Sequence, residues 1–408
     1  MRFVLLIAPR AADFVDTIRR HFEGRWKEIT DTALAVTTRP PDAATLDHPK
    51  CAGLALPCFD MRLCDLVADR PYPVVNFSCH FSPRPRAINV IPDNEEIGSL
   101  AAEHLLAKGY RSFAFSGMDA AFSTARATGF QRRLARGKRS ARKHTFHHPA
   151  YNPHPLEREQ EVEESLSRCV GPDNGPTGIF AENDHHALKL LRALESRPNG
   201  SPCMHGVIGV DDIHHFNPGV PDADRLTSIR PAFDRIGRRA AEVLAHSVRD
   251  PEAHPAGSVI HVGGAVLFER ESTAGCATGN RLVNQMARWI EAEVEAGRAP
   301  SVSATAARFR LKTRAASALF TKASGTSLRD YTMRQRLLRA SRLLVDTDLP
   351  IGEIAQSCAF SKQGDLNDLF HRRIGVPPGE FRRRGIPPPN DSGSGEKHAR
   401  RDPCTNGR

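Results

Sequence analysis

At 408 residues, with 40% hydrophobic and 25% charged side chains, the chain has a globular composition and the length of two or three domains. Its longest early apolar run, Val4 to Ala8, ends at Pro9-Arg10, too short for a membrane span or a signal-peptide core, so a cytoplasmic protein without membrane attachment is expected. Nine cysteines without a CxxC pair indicate neither a disulfide framework nor a zinc cluster, and the formal charge of +10 favours polyanions without choosing among DNA, RNA and a membrane surface.

From residue 1 to about 272, apolar runs alternate with amphipathic stretches, the pattern of a parallel sheet with crossover helices. Strands are predicted at Phe3–Ala8, Gly53–Leu56, Val74–Phe77, Ser112–Ser116, Gly178–Ala181 and Gly206–Val210. Helices are predicted at Asp13–Phe22, Glu95–Lys108, Phe122–Leu134, His185–Glu195 and Phe233–His246. The basic, His- and Pro-rich segment from Arg136 to Pro155 shows no usable period and reads as a surface loop. Its His144, His147, His148 and His154 lack an i, i+4 face or a carboxylate partner, so no metal site is expected there.

The stretch Ser272 to Asn280 contains Gly, Thr and Cys and reads as a linker at 273–281 between the α/β part and a run of helices beginning near Leu282. Residues 281–385 hold 19 Lys and Arg against 10 Asp and Glu, so nearly all of the net charge lies in this helical domain, at 282–385. After Arg384 the chain turns Pro-, Gly- and Ser-rich, and 386–408 is predicted to be a disordered tail.

Within the helical domain two segments share one layout, a short helix, a tight turn and a second helix. Val302–Lys322 would bury Val302, Ala306, Phe309, Leu311, Leu319 and Phe320. Ile351–Arg373 would bury Ile351, Ile354, Ala355, Cys358, Phe360, Leu366, Leu369 and Phe370. Leu328–Val345, with Tyr331, Leu337, Ala340 and Leu344 on its apolar side, reads as the helix joining them.

The stretch from Arg336 to Arg383 resembles the signature half of the AraC/XylS-type DNA-binding domain: Arg336-Leu337, Ala340, Leu343-Leu344, Thr347, Ile351, Ile354-Ala355, Phe360-Ser361, Phe370, Gly375, Pro378 and Phe381 all match. The resemblance implies two helix-turn-helix units, each with its second helix in the major groove of double-stranded DNA, about one helical turn apart, roughly 34 Å. It places Lys362, Gln363, Gly364, Asn367 and Arg372 on the second DNA-facing helix, Lys362–Arg372. Gln and Asn there can each pair with adenine for roughly 1–3 kcal/mol of discrimination. Lys312, Arg314 and Ser317 are the corresponding positions on the first, Thr313–Lys322. The chain departs from the pattern at Ala359, where the turn usually has glycine, at Asp365 and Asp368, and at Ala315, Ala316 and Ala318, where a core Leu and a base-reading Arg are common.

The α/β part resembles the ligand-binding core of lactose/galactose-repressor-type regulators. The segments "NVIPDNEEIGSLAAEHLLAKGYRSFAFSG", "FAENDHHALKLLRALES", "VIGVDD" and "LTSIRPAFDRIGRRAAEVLA" match in order. The resemblance implies a two-lobed, periplasmic-binding-protein-like fold closing on a sugar. Joined to the C-terminal domain through "FERESTAG", the arrangement looks like the xylose-operon regulators. By position after predicted strands, Asp184, Asp211, Arg126 and Asn183 are the expected ligand residues; carboxylates accept sugar hydroxyl hydrogens and Arg donates a fork. Asp184 also stands where a helix cap would, Arg126 where a plain surface residue would, and Asp93 and Asn94 read as capping residues. Gly263-Gly264 stands where the relatives tend to have prolines.

The function implied is a transcription regulator, by resemblance an activator, controlled by xylose or another pentose. It would act as a homodimer, need no cofactor and leave RNA polymerase as a possible partner. The alternative is a sugar-binding module whose DNA-reading face has decayed. Without GxSxG, a Walker loop, GxGxxG after a strand or HExxH, the chain offers no catalytic machinery.

Overall fold

The structure, a computed structural model, describes residues 2–9, 14–39, 41–58, 64, 70–78, 84–146, 155–170, 176–196, 205–274 and 280–384. The tail at 386–408 and His147, His148 and His154 lie outside them.

Residues up to 274 form two lobes, each built on a six-stranded sheet. Lobe one contains β1 (Phe3–Ile7), β2 (Ala33–Thr37), β3 (Cys51–Leu56), β4 (Val74–Asn76), β5 (Ile88–Pro92) and β11 (Val259–Val262), in the order β11-β5-β4-β3-β1-β2. Lobe two contains β6 (Ser112–Met118), β7 (Arg142–Phe146), β8 (Thr177–Ala181), β9 (Gly206–Val210), β10 (Thr227–Arg230) and β12 (Val266–Phe268), in the order β12-β10-β9-β8-β6-β7. All pairings are parallel except β10 with β12.

The parallel strands are apolar on both faces because helices cover both. In lobe one Phe233, Ile236, Ala240, Val243 and Leu244 of the helix Phe233–Arg249, at helical spacing, pack with Ile18, Phe22 and Trp26 of the helix Val15–Ile29. In lobe two the helices Asn94–Ala107 and Ala121–Arg136 cover one face and Asp184–Ser196 the other. The first two approach to backbone contact at two glycines: a Cβ on Gly98 would lie 2.0 Å from the Arg126 carbonyl oxygen, and one on Gly129 2.0 Å from that of Glu95. That approach sets Asn94 beside Arg126.

Among the described residues the chain passes between the lobes after β5, β10 and β11. The third passage holds Gly263-Gly264. Gly264 has φ +95°, the Arg235 guanidinium occupies the space a Cβ would need, and the Gly264 amide donates to Glu96 Oε2 at 2.8 Å. A proline could neither adopt that φ nor donate there, which accounts for the departure from the resemblance.

The segment from Arg136 to Pro155, expected to be a loop, contains β7, an edge strand paired with β6, and runs up to a helix at Pro155–Cys169. Strand β7 reads Arg-Lys-His-Thr-Phe, and a polar edge strand carries no alternating apolar signal.

The C-terminal helices are Arg281–Glu295, Val302–Arg308, Thr313–Ser324, the joining helix Leu328–Asp346, Ile351–Ser357, Gln363–Ile374 and Pro378–Arg384. Val283, Met286, Ile290, Ala306, Ala316, Phe320 and Tyr331 form the core of the first unit. The core of the second, around Ile354, Leu366, Phe370 and Phe381, takes in Val266 and Phe268 of β12, so it is continuous with lobe two. Among the described residues no helix is long and apolar enough to cross a membrane.

Candidate functional site

The carboxyl ends of β6, β8 and β9 meet at one edge of lobe two. There the strand order reverses direction, because β7 lies to one side of β6 and β8 to the other. Such a reversal opens a crevice. Arg126 sits in it on the second turn of its helix, only 2% exposed rather than on the surface. Its Nε donates to Asn94 Oδ1 at 2.9 Å, one terminal nitrogen donates to the Glu182 carbonyl, and the other stands 4.0 Å from Asp211 Oδ1. The guanidinium lies 5.0 Å above the Phe122 ring. Buried and fixed on three sides, it points its remaining donor capacity at Asp211.

Asp211 and Asp212 both have positive φ, +103° and +52°, a conformation that non-glycine residues hold only under constraint. The constraint is visible. The Asp211 amide donates to the Ile229 carbonyl at 2.9 Å and the Asp212 amide to Ser228 Oγ at 3.0 Å. Ser228 Oγ in turn donates to Asp184 Oδ1 at 2.6 Å, and Asp184 Oδ2 accepts from the Ile213 amide at 2.7 Å. Both oxygens of Asp184 are thus committed inside lobe two and the residue is 2% exposed. The expected ligand role of Asp184 gives way to a positioning one, clasping the turn that carries Asp211. Nor is Asp184 the cap of its helix: Asn183 Oδ1 accepts from the His186 amide at 2.8 Å, leaving the Asn183 amide nitrogen near Glu182 at 3.4 Å. The helix at 94 is capped by Asp93, which accepts from the Glu96 amide, while Asn94 serves Arg126.

Glu182 belongs to this group without having been singled out from the sequence. It is 1% exposed, its Oε2 accepts from the Met118 amide at 2.6 Å, and burial pushes its carboxyl up to about 7. Burial raises the Asp211 carboxyl as well, against the pull of Arg126. Across the crevice Phe216 of lobe two meets Phe233 of lobe one edge-on at 5.7 Å, and Phe14 stacks on Phe233 at 4.4 Å.

From this crevice a chain of charges leads to the C-terminal domain. Asp212, fully buried, accepts from Arg230 Nε at 2.9 Å and also holds Arg270; Arg230 donates onward to Asp346 Oδ1, on the joining helix, at 2.6 Å. The Arg230 guanidinium rests 4.1 Å above the Phe268 ring.

On the C-terminal domain Lys312, Arg314, Lys362, Gln363 and Gly364 are exposed, and Ser317 and Asn367 are half-buried at the same helix faces. Arg372 is exposed at the far end of its helix, where it lines the groove between the two domains. Ala316 is wholly buried, so it is a core position filled by a small side chain; Ala315 and Ala318 are exposed. The two turns are alike. Arg310 and Ala359 both have left-handed φ, +54° and +58°. Arg336 pins the second, donating to the Cys358 and Ala359 carbonyls at 2.9 and 2.8 Å while its guanidinium lies 3.8 Å from the Phe360 ring centroid. Replacing Ala359 by Gly relieves the Cβ clash at that φ, and a stabilisation of about 0.5–1 kcal/mol is expected as a higher urea midpoint; a lower midpoint would contradict the strain.

Residues 102–273 match the model of the periplasmic binding protein-like domain, and residues 305–384 that of a helix-turn-helix domain. The chain joins a periplasmic binding protein-like domain to an AraC-type helix-turn-helix domain. Over 220 residues it is 26% identical to the HTH-type transcriptional repressor PurR of Vibrio atlanticus (strain LGP32), covering 51% of this chain and 60% of that one. Over 107 residues the chain is 25% identical to the probable transcription factor PqrA of Proteus vulgaris, covering 26% of this chain and 88% of that one. The chain thus spans only about 60% of the length of the PurR relatives it matches. In fold it is similar to the structure of a xylose-binding transcription activator, xylR, with a TM-score of 0.54, 20% identity and coverage of 94% of this chain and 98% of that one. By their names these relatives are transcription regulators, not enzymes.

Proposed function

We propose that the chain is a cytoplasmic, DNA-binding transcription regulator whose affinity for its operator is set by a small sugar, xylose or another pentose, held between the lobes. The observation that carries this reading is the unbroken ionic path from the crevice to the DNA-binding domain, Asp212 to Arg230 to Asp346. A ligand that draws on Asp211 acts on a residue whose neighbour anchors that path, and coupling of this kind requires differential contacts in two states.

Arg126, Asp211 and Asn183 offer the donors and acceptors that vicinal hydroxyls satisfy. Exposed Gln363 beside half-buried Asn367 supports base reading by the second unit, and exposed Lys312 and Arg314 support phosphate contacts by the first. A homodimer acting as an activator, with RNA polymerase as its partner, completes the reading; the PurR relatives, by contrast, are named repressors. Selection from random duplexes tests the DNA half. Two enriched blocks about one helical turn apart are expected, one block would restrict reading to the second unit, and no enrichment would leave the chain a sugar-binding module.

A further inference from the structure

From Arg132 to Lys143 the sequence places seven cations and no acid. The stretch lies not in the DNA-binding domain but in lobe two, at the end of the helix Ala121–Arg136 and the start of β7. Two of its members are neutralised: Arg132 pairs with Glu95, and Arg133 with Glu103 at 2.8 Å. Arg136, Lys138, Arg139, Arg142 and Lys143 are exposed and have no acidic partner among the described residues; Arg142 reaches Ser112 Oγ at 3.4 Å. Five uncompensated cations within eight positions of a sensor domain contribute nothing to its core, and like charges so close repel one another.

Their position gives them a use. Arg136 lines a groove of about 810 Å³ between the domains, and the opposite wall of that groove includes Arg372 and Arg373 at the end of the second recognition helix. The acids on the sensor wall are already engaged: Glu95 and Glu103 with the arginines named above, Glu96 on the Gly264 amide, and Asp93 on its helix. Arg373 is itself paired with Asp330 at 3.4 Å, but Arg372 on the recognition helix and Arg136 on lobe two leave positive charge on both walls of the groove.

We propose that this basic strip is a second nucleic-acid contact, which holds the phosphate backbone of the duplex beside the block read by the second helix-turn-helix unit. The inference rests on the reading of the C-terminal domain as DNA-binding. An acidic protein surface is the competing occupant. DNA is favoured because the strip adjoins a recognition helix and holds flexible cations with little apolar surface between them, the makeup of a sequence-independent phosphate contact.

The test uses the full chain and its quadruple variant Arg136→Gln, Lys138→Gln, Arg139→Gln and Lys143→Gln, all exposed positions where folding should be unaffected. Two duplexes are titrated between roughly 50 and 200 mM salt, one carrying only the selected site and one extended by about 15 base pairs beyond the second block. The wild type is expected to hold the extended duplex more tightly and with a steeper salt dependence. The variant should lose that advantage, its slope on the extended duplex falling by about 2–4, since each lost phosphate contact removes about 0.9, while the short duplex is bound as before. Identical slopes and affinities for the two proteins on both duplexes overturn the proposal and leave the protein partner as the occupant. Gln363→Ala with Asn367→Ala separates the two claims. It should abolish preference for the selected site yet keep the gain from the extension. A wild type that holds neither duplex overturns both.

Discussion

Replacing Lys108 by Met is expected to destabilise the chain by about 3–5 kcal/mol, the cost of stripping a buried ion cluster of the cation at its centre. The Lys108 ammonium is wholly buried and bonded to the carboxylates of Glu269 and Glu291, with Tyr331 Oη at 3.1 Å; Tyr331 Oη itself donates to Glu291. Glu269 follows β12 of lobe two, Glu291 lies on the first helix of the C-terminal domain and Tyr331 on the joining helix, so one ammonium ties three segments of two domains. Beside it His104 Nε2 meets Thr273 Oγ1 at 2.8 Å and His104 Nδ1 meets Arg334 at 3.2 Å. Burial raises the Glu269 carboxyl and Lys108 opposes that shift, so without the ammonium two carboxylates would be left in a site that excludes water. The urea midpoint measures the loss. Adding Glu269→Gln and Glu291→Gln to Lys108→Met should restore most of it, because the uncompensated charges are then gone; a single variant within about 1 kcal/mol of the wild type would show that the cluster does not hold the domains together.

The second large effect is expected at Asp211. Asn is isosteric and is among the residues best able to keep a positive φ, so Asp211→Asn should preserve the turn and the unfolding midpoint. It removes the charge facing Arg126, and with it the charge-assisted bond, worth about 1.5–3 kcal/mol, that the proposed site would make to a sugar hydroxyl. Sugar affinity, read by titration calorimetry, should fall roughly 10- to 150-fold while affinity for DNA in the absence of sugar is kept. An unchanged sugar affinity would take Asp211 out of the site. Asp184→Asn would act differently, loosening the bonds to Ser228 and Ile213 and lowering stability together with sugar affinity.

These two sites show how unevenly the sequence discloses structure. The position of Asp211 at the strand end was legible because Gly206–Val210 is a short apolar run that ends where the strand ends. Asp184 was misplaced because Asn183 and Asp184 both follow β8, and either short polar side chain could cap the helix or face the crevice; hydrogen bonds to Ser228 and Ile213, far along the chain, decide it. Glu182 had no signal at all, since a glutamate at a strand end is common and only burial makes it part of the site. Within the C-terminal domain the two-unit layout was legible from apolar spacing and turns, and the resemblance marked Ala359 as standing where the turn usually has glycine, but the Arg336 bonds that hold it there were not legible. The Lys108 cluster was invisible because its partners lie 161 and 183 residues away.

In the proposed function, occupancy of the crevice is communicated to DNA through Asp212, Arg230 and Asp346. That communication is tested most directly by the affinity of the full chain for its selected duplex, with and without saturating pentose, in the wild type and in Asp346→Asn. The wild type should change its Kd at least about fivefold on adding sugar, the lower end of usual allosteric couplings, and Asp346→Asn should reduce that change to less than about twofold with sugar affinity preserved. An equal shift in both proteins would contradict the ionic path, and a wild type whose DNA affinity no pentose or hexose alters would contradict sugar control itself.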